Sequence, residues 1–145
     1  MPLEDFIPVE GQRLIAQAIT EAERKTSGEI CVHVTPHCLG ETMPQAEAVF
    51  NAKRLYLTRC RNAVLIYIAY KDRKLAILGD EGINRQVADD FWDDVVDVLT
   101  HHLKRHSPVK GVCAAVTMIG DKLQELFPAD RENINELSNE VSYDD

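Results

Sequence analysis

Five oxygen-bearing side chains stand where a hard metal ion would be served: Glu29, Asn62, Asp80, Glu81 and Asp93. Glu29 opens an alternating stretch, Asn62 opens a long apolar run, and the Asp80-Glu81 pair lies between Gly79 and Gly82. Carboxylates held close together repel, and a divalent cation relieves that repulsion. Ca²⁺ takes about six to eight oxygens at about 2.3–2.6 Å, and Mg²⁺ is the alternative of the same hard class. Flanking glycines let backbone carbonyls face such an ion with no Cβ in the way. The plainer reading of Asp80 and Glu81 is a solvated turn that caps the segment after it. Asp89, Asp90, Asp93, Asp94 and Asp97 equally suit the opening turns of a helix, whose dipole acids complement.

Other chemistries find less support. His102 and His106 are four apart, but Lys104 and Arg105 lie between them and no HExxH string surrounds them. Basic side chains favour a helix C-terminus, which accounts for the group. His33, His37 and Cys38 cluster at a strand end without ligand spacing. Cys31, Cys38, Cys60 and Cys113 form no C-x-x-C pair, so they read as reduced, small apolar residues. The sequence has no nucleophile elbow, phosphate-binding loop, EF-hand string or cysteine separated from an arginine by five residues. Hydrolytic chemistry would therefore need a metal to activate water or hold a phosphate.

These oxygens meet only if the chain folds to bring them together. A helix is predicted over 8–26, with Pro8 in its first turn, a stripe of Ile15, Ala18, Ile19 and Ala22, and Gly28 as stop. Residues 29–35 alternate as a strand closed by Pro36. A helix over 44–58 precedes the run 63–70, apolar on both faces like a central strand covered by helices. Residues 70–73 turn the chain into an antiparallel strand over 74–78, the connection being too short for a crossover. Helices follow over 87–106, with Trp92 on the inner stripe, and from Pro108 with Ser107 as cap, closed by Pro128. The fold expected is a three-layer α/β/α sandwich whose mixed, mostly parallel sheet contains one antiparallel hairpin. With the first two strands parallel, Glu29 and Arg61-Asn62 enter the sheet at one end, and the third strand returns Asp80 and Glu81 to it.

The 145 residues suit a single domain over 1–145, with 128–145 as an acidic tail: residues 129–145 hold six acids and one arginine. The net charge of −8 argues against unspecific nucleic-acid binding and against an anionic membrane surface. No apolar run approaches the ~20 residues of a membrane span, so no membrane insertion is expected. The start carries no basic and apolar leader, which favours a cytoplasmic location. The tail or the rim of the acidic crevice offers a hook for an unidentified protein partner.

The strings TSGEI, RNAVLIYIA, DRKLAILGDEGI, FW, KGVCAAVTMIGDKL and FPADRENINELSNEVSY, in that order, resemble the TPM domain. That family is named after a thylakoid lumen protein, photosystem assembly factors and a nematode receptor accessory protein. The resemblance runs over 11–143 and is to the short bacterial members. It implies an α/β/α sandwich and divalent-cation binding, notably of calcium, in a crevice at one sheet edge. For plant members it implies an acid phosphatase activity. Many relatives carry a signal peptide and a membrane segment; the lack of both here implies a stand-alone cytoplasmic form. Two departures fall in the crevice: Ala63 stands where the family has glycine, and Arg61 where some members have aspartate. One negative charge fewer weakens cation binding, or shifts the load onto Glu29, Asp80 and Glu81.

Overall fold

A computed structural model describes residues 3–129 and 141–144. Strand β1 (Glu29–Thr35) is buried along its whole length. Strand β2 (Ala63–Ala69) holds no charged residue and is equally buried, as an apolar run covered on both faces must be. The two are parallel, with Glu29 level with Ala63 and Thr35 level with Ala69. Strand β3 (Lys74–Gly79) returns antiparallel, pairing Gly79 with Val64 and Lys74 with Ala69. A short strand β4 (Ser142–Tyr143) lies parallel on the far side of β1, giving the order β3-β2-β1-β4.

Helices α1 (Leu3–Phe6), α2 (Val9–Glu23), α3 (Thr42–Ala52), α4 (Glu81–Asn84), α5 (Phe91–Lys104) and α6 (Pro108–Leu126) flank this sheet. Strand alternation sorts the core into two layers. Ile30, Val32, Val34, Val64, Ile66 and Ile68 pack with Ile15, Ile19, Val95, Leu99, Val116 and Ile119 of α2, α5 and α6. Cys31, Ala63, Leu65, Tyr67 and Ala76 pack with Ala46 and Phe50 of α3. Each fully buried aliphatic side chain contributes roughly 1.5–3 kcal/mol. The α/β/α sandwich with a mixed sheet is thus the architecture found.

Several boundaries differ from the sequence reading: α2 stops at Glu23 rather than 26, α3 starts at Thr42 rather than 44, and α5 stops at Lys104 rather than 106. Pro8 sits just before the first helical residue of α2. Helix α3 ends at Ala52, short of 58, because Arg54 adopts a left-handed φ of 56° and the chain re-forms as a 3-10 turn over Leu55–Leu57. Helix α5 starts at Phe91, not 87, because Gln86 and Val87 both donate to the Ile83 carbonyl and close the preceding turn. The acidic tail is expected as an irregular surface segment. Residues 130–140 lie outside the described ones, but its end is ordered into β4. Val141 is 8% exposed and joins the core, whereas Tyr143 remains 53% exposed, so valine anchors this end and the tyrosine ring does not.

Candidate functional site

Register places Glu29 level with Ala63, and Asp80, the residue just past β3, beside Ala63 on the other side. Glu29 pairs with Ala63, and the Asp80 N–H donates to the Ala63 carbonyl at 2.9 Å. Ala63 belongs to the layer under α3, so alternation puts Glu29 and Asp80 on that face as well. Two interstrand steps separate their backbones by about 10 Å, with the Ala63 methyl between them. Glu29 is 2% exposed and Asp80 6%. Carboxylates this buried need partners that compensate them.

The start of β1 is held by its neighbours. Thr26 Oγ1 donates to the Leu123 carbonyl at 3.0 Å and to that of Phe127, and it accepts from the Gly28 N–H at 3.0 Å. Thr26 also forms a bridge with Pro128, tying the end of α6 to this loop. A Cβ on Gly28 would lie 2.7 Å from Leu123 Cδ2, which explains glycine beside that helix. The Ile30 N–H, which faces away from β2, donates to Glu23 Oε2 at 2.8 Å. Glu23 was not among the candidates; its buried carboxylate serves an edge amide that the short β4 does not reach.

Asn62 enters β2 from Arg61, whose φ is 51°. Its N–H donates to Thr58 Oγ1 at 3.1 Å and its Nδ2 to Ser27 Oγ at 3.3 Å, so it clamps the entries of β1 and β2 together. The residue is 1% exposed, and Oδ1 has no hydrogen-bond partner among the described residues. A buried oxygen without a donor costs about 1–3 kcal/mol.

Arg61, which the sequence reading placed at this end of the sheet but gave no bonding role, organises the rim. Its guanidinium forks onto Asp80, Nε to Oδ2 at 2.7 Å and Nη2 to Oδ1 at 2.9 Å, and Nη1 reaches Glu81 Oε1 at 3.3 Å. This two-bond geometry is the strong form of the arginine–carboxylate pair. The hydrogen bond to Asp80, with the charges of Asp80 and Glu81 behind it, raises the arginine pKa above its ordinary value. Asp80 Oδ1 also accepts from the Glu81 N–H at 2.8 Å and caps α4. The backbone beneath is fixed. Gly82 N–H donates to the Arg61 carbonyl at 2.8 Å, and a Cβ on Gly82 would fall 1.9 Å from the Cys60 carbonyl oxygen. Beside the pair opens a groove of about 310 Å³, lined by Glu47, Asn51, Tyr56, Arg61 and Asp80 among others.

The fold therefore brings Glu29, Asn62, Asp80 and Glu81 to one end of the sheet. It ties Asp80 to Glu81 through Arg61, and Asn62 to Ser27. Asp93 is exposed in the first turn of α5 and makes no hydrogen bond or ion pair with the rim among the described residues. Its neighbour Trp92 does reach this end, donating from Nε1 to Asn84 Oδ1 at 2.9 Å. Among the described residues, no three His, Cys, Asp or Glu side chains stand together as a metal would hold them. The donors are hard oxygens, as Ca²⁺ or Mg²⁺ requires, but two of the carboxylates are gathered around an arginine.

A mixed four-stranded sheet between helices, with an acidic end where three strands meet, defines the class. The TPM domain model matches residues 3–122, and the chain belongs to that family. It is similar to the BA42 protein of the psychrophilic bacterium Bizionia argentinensis, whose NMR structure superposes with a TM-score of 0.91 at 34% identity over 99% of both chains. The N-terminal domain of the cg2496 protein of Corynebacterium glutamicum shares the fold, with a TM-score of 0.63 at 15% identity over 79% of this chain and 72% of that one. No curated protein matches the sequence. No described helix is long and apolar enough to cross a membrane.

Proposed function

We propose that this TPM domain binds a divalent cation, Ca²⁺ or Mg²⁺, at the sheet edge, with Asp80, Glu81 and Asn62 as the principal donors and Glu29 as the buried charge behind them. One observation carries the reading: the rim already holds a cation, the chain's own Arg61 guanidinium, between Asp80 and Glu81. A place built to neutralise two carboxylates accepts a metal once the guanidinium moves aside. Arg61 is 41% exposed at its side chain, so solvent can receive it. The orphaned Asn62 Oδ1 adds a buried oxygen that a hard cation would satisfy. Asp93, exposed on α5, is a peripheral contributor to the field. The four free thiols suit a reducing compartment, and we take the cytoplasm as the site of action.

Bound ion stabilises a fold by mass action, by about 2.7 kcal/mol at a hundredfold excess over Kd. Thermal melts with Ca²⁺ or Mg²⁺ therefore test the reading. The wild-type melting temperature rises with the ion, and the rise is lost in Asp80→Ala. A wild-type melt unmoved by either ion at ~10 mM contradicts it.

A further inference from the structure

We infer that β3 is a pairing edge for a second copy of this chain, the two molecules joining β3 to β3 antiparallel in one continuous sheet. The pairing does not depend on the cation reading above. Strand β3 ends the sheet order, with β2 on one side and no strand on the other among the described residues. The Asp80 N–H donates to the Ala63 carbonyl, which fixes the backbone groups that face β2. Such groups alternate along an antiparallel pair, so Lys74, Ala76 and Leu78 turn theirs towards β2, and Leu75, Ile77 and Gly79 turn theirs outward. Of this outward set only the Gly79 carbonyl has a partner among the described residues, Asn84 Nδ2 at 2.8 Å. The Ile77 side chain lies in the core layer of α2, α5 and α6, so the outward side of this residue is backbone. The strand contains no proline and its register no bulge, the usual guards of a sheet edge. A groove of about 310 Å³ opens against Leu78, Gly79 and Asp80, so this end of the edge is accessible.

Charge selects a second copy as the occupant. The segment reads Arg73-Lys74 on one side of Ile77 and Asp80-Glu81 on the other. A two-fold axis through Ile77 matches outward groups with outward groups: Ile77 with Ile77, and the Gly79 N–H with the Leu75 carbonyl of the other copy. The same register sets Lys74 level with the other copy's Asp80 and continues Arg73 towards its Glu81. Opposite charges facing across strands stabilise a pair, and like charges destabilise it. Arg73 and Glu47 are exposed and form no ion pair among the described residues, so each end holds an uncommitted charge. Moving the axis to Ala76 would set Asp72 against Asp80, which disfavours that register. One strand edge buries less than the ~1,200 Å² of a stable interface, so the dimer is weak and depends on concentration.

The test is sedimentation velocity on the full chain from about 10 µM to about 1 mM, the span of a weak complex. Wild type is expected to shift from monomer to dimer. Arg73→Glu and Glu81→Arg, each placing like charges together, are expected to stay monomeric alone and to form a dimer when mixed. A wild type monomeric throughout overturns the inference, as do single variants that dimerise like wild type or a mixture that stays monomeric. Should either variant fail to fold, amide exchange of the wild type decides. The Ile77 N–H then exchanges about tenfold more slowly with free protein at ten times Kd, while the Ala76 N–H, already facing β2, is unmoved. A dimer whose Ile77 N–H exchanges at the monomer's rate uses another face and overturns the pairing.

Discussion

Arg61, at the entry to β2, forks onto Asp80, in the turn that joins β3 to α4, at 2.7 and 2.9 Å. Asp80 is 6% exposed, so its charge is tolerated only because the guanidinium and the Glu81 N–H compensate it. Asp80→Ala removes a helix cap and strands half-exposed Arg61. A loss of about 1–2 kcal/mol is expected, read as a melting temperature lower by about 2–8 °C. An unchanged melt would mean that the fork is ornamental.

Gly82 is where backbone geometry protects the rim. A methyl group there meets the Cys60 carbonyl oxygen at 1.9 Å and that of Arg61 at 2.6 Å, both backbone atoms that cannot rotate away. Gly82→Ala is expected to destabilise by about 2–4 kcal/mol, a cost of the overpacking class. A denaturation midpoint equal to wild type would contradict this packing.

His33 offers a separate check on the tail. His33 is 4% exposed, with Nδ1 at 2.7 Å from Ser142 Oγ and Nε2 at 3.0 Å from Asp144 Oδ2. Replacing both partners, Ser142→Ala with Asp144→Ala, leaves a buried ring without them. A loss of about 1–3 kcal/mol follows, with faster exchange of the Asp144 N–H that bonds to Val34. Unaltered stability and exchange would show that β4 is not held through His33.

The thiols differ in reach and in acidity. Cys60 is exposed, while Cys31 and Cys38 are buried. Burial pushes the Cys31 thiol up to about 11, with Glu23 adding to the rise and Lys53 opposing it. Burial also raises Cys113. The thiolate is the reactive form. Alkylation of the native protein at pH 8, followed by mass spectrometry, is expected to modify Cys60 first and Cys31 last. Equal rates at the two would contradict the buried layer under α3.

Asp72 supplies a pH dependence away from the rim. Its carboxyl is held below the ordinary range, first by the hydrogen bond with His37 Nδ1 at 2.9 Å and then by the Cys38 N–H at 2.7 Å. A lowered native pKa contributes stability above the unfolded value, near pH 4, and that contribution is lost as the pH falls through the native value. Asp72→Asn should therefore show a smaller drop in melting temperature from pH 7 to pH 3 than wild type does. An identical drop would remove Asp72 from the acid response.

Much of the frame was legible because apolar patterning carries it. The run at 63–70 could only be a covered strand, the short turn at 70–73 forced an antiparallel return, and Ser107-Pro108 announced α6. From the first two of these, together with the parallel pairing of β1 and β2, it follows that Glu29, Asn62 and Asp80 share one end of the sheet. Arg61 was harder to see. Its role depends on a left-handed backbone at a residue with no special tolerance for it, and on a fork across nineteen residues of sequence. Neither leaves a periodic trace. The end of α3 was missed for the same reason, since the left-handed Arg54 breaks an otherwise acceptable helical pattern. The pairing of β4 escaped because two residues are too few to alternate visibly.

The most direct measurement is a crystal structure of the protein grown or soaked with Ca²⁺. Cation binding at this edge predicts an ion about 2.3–2.6 Å from Asp80 carboxylate and Asn62 Oδ1 oxygens, with Arg61 turned into solvent. An intact Arg61–Asp80 fork with no ion at the edge, at a Ca²⁺ concentration of ~10 mM, would contradict it.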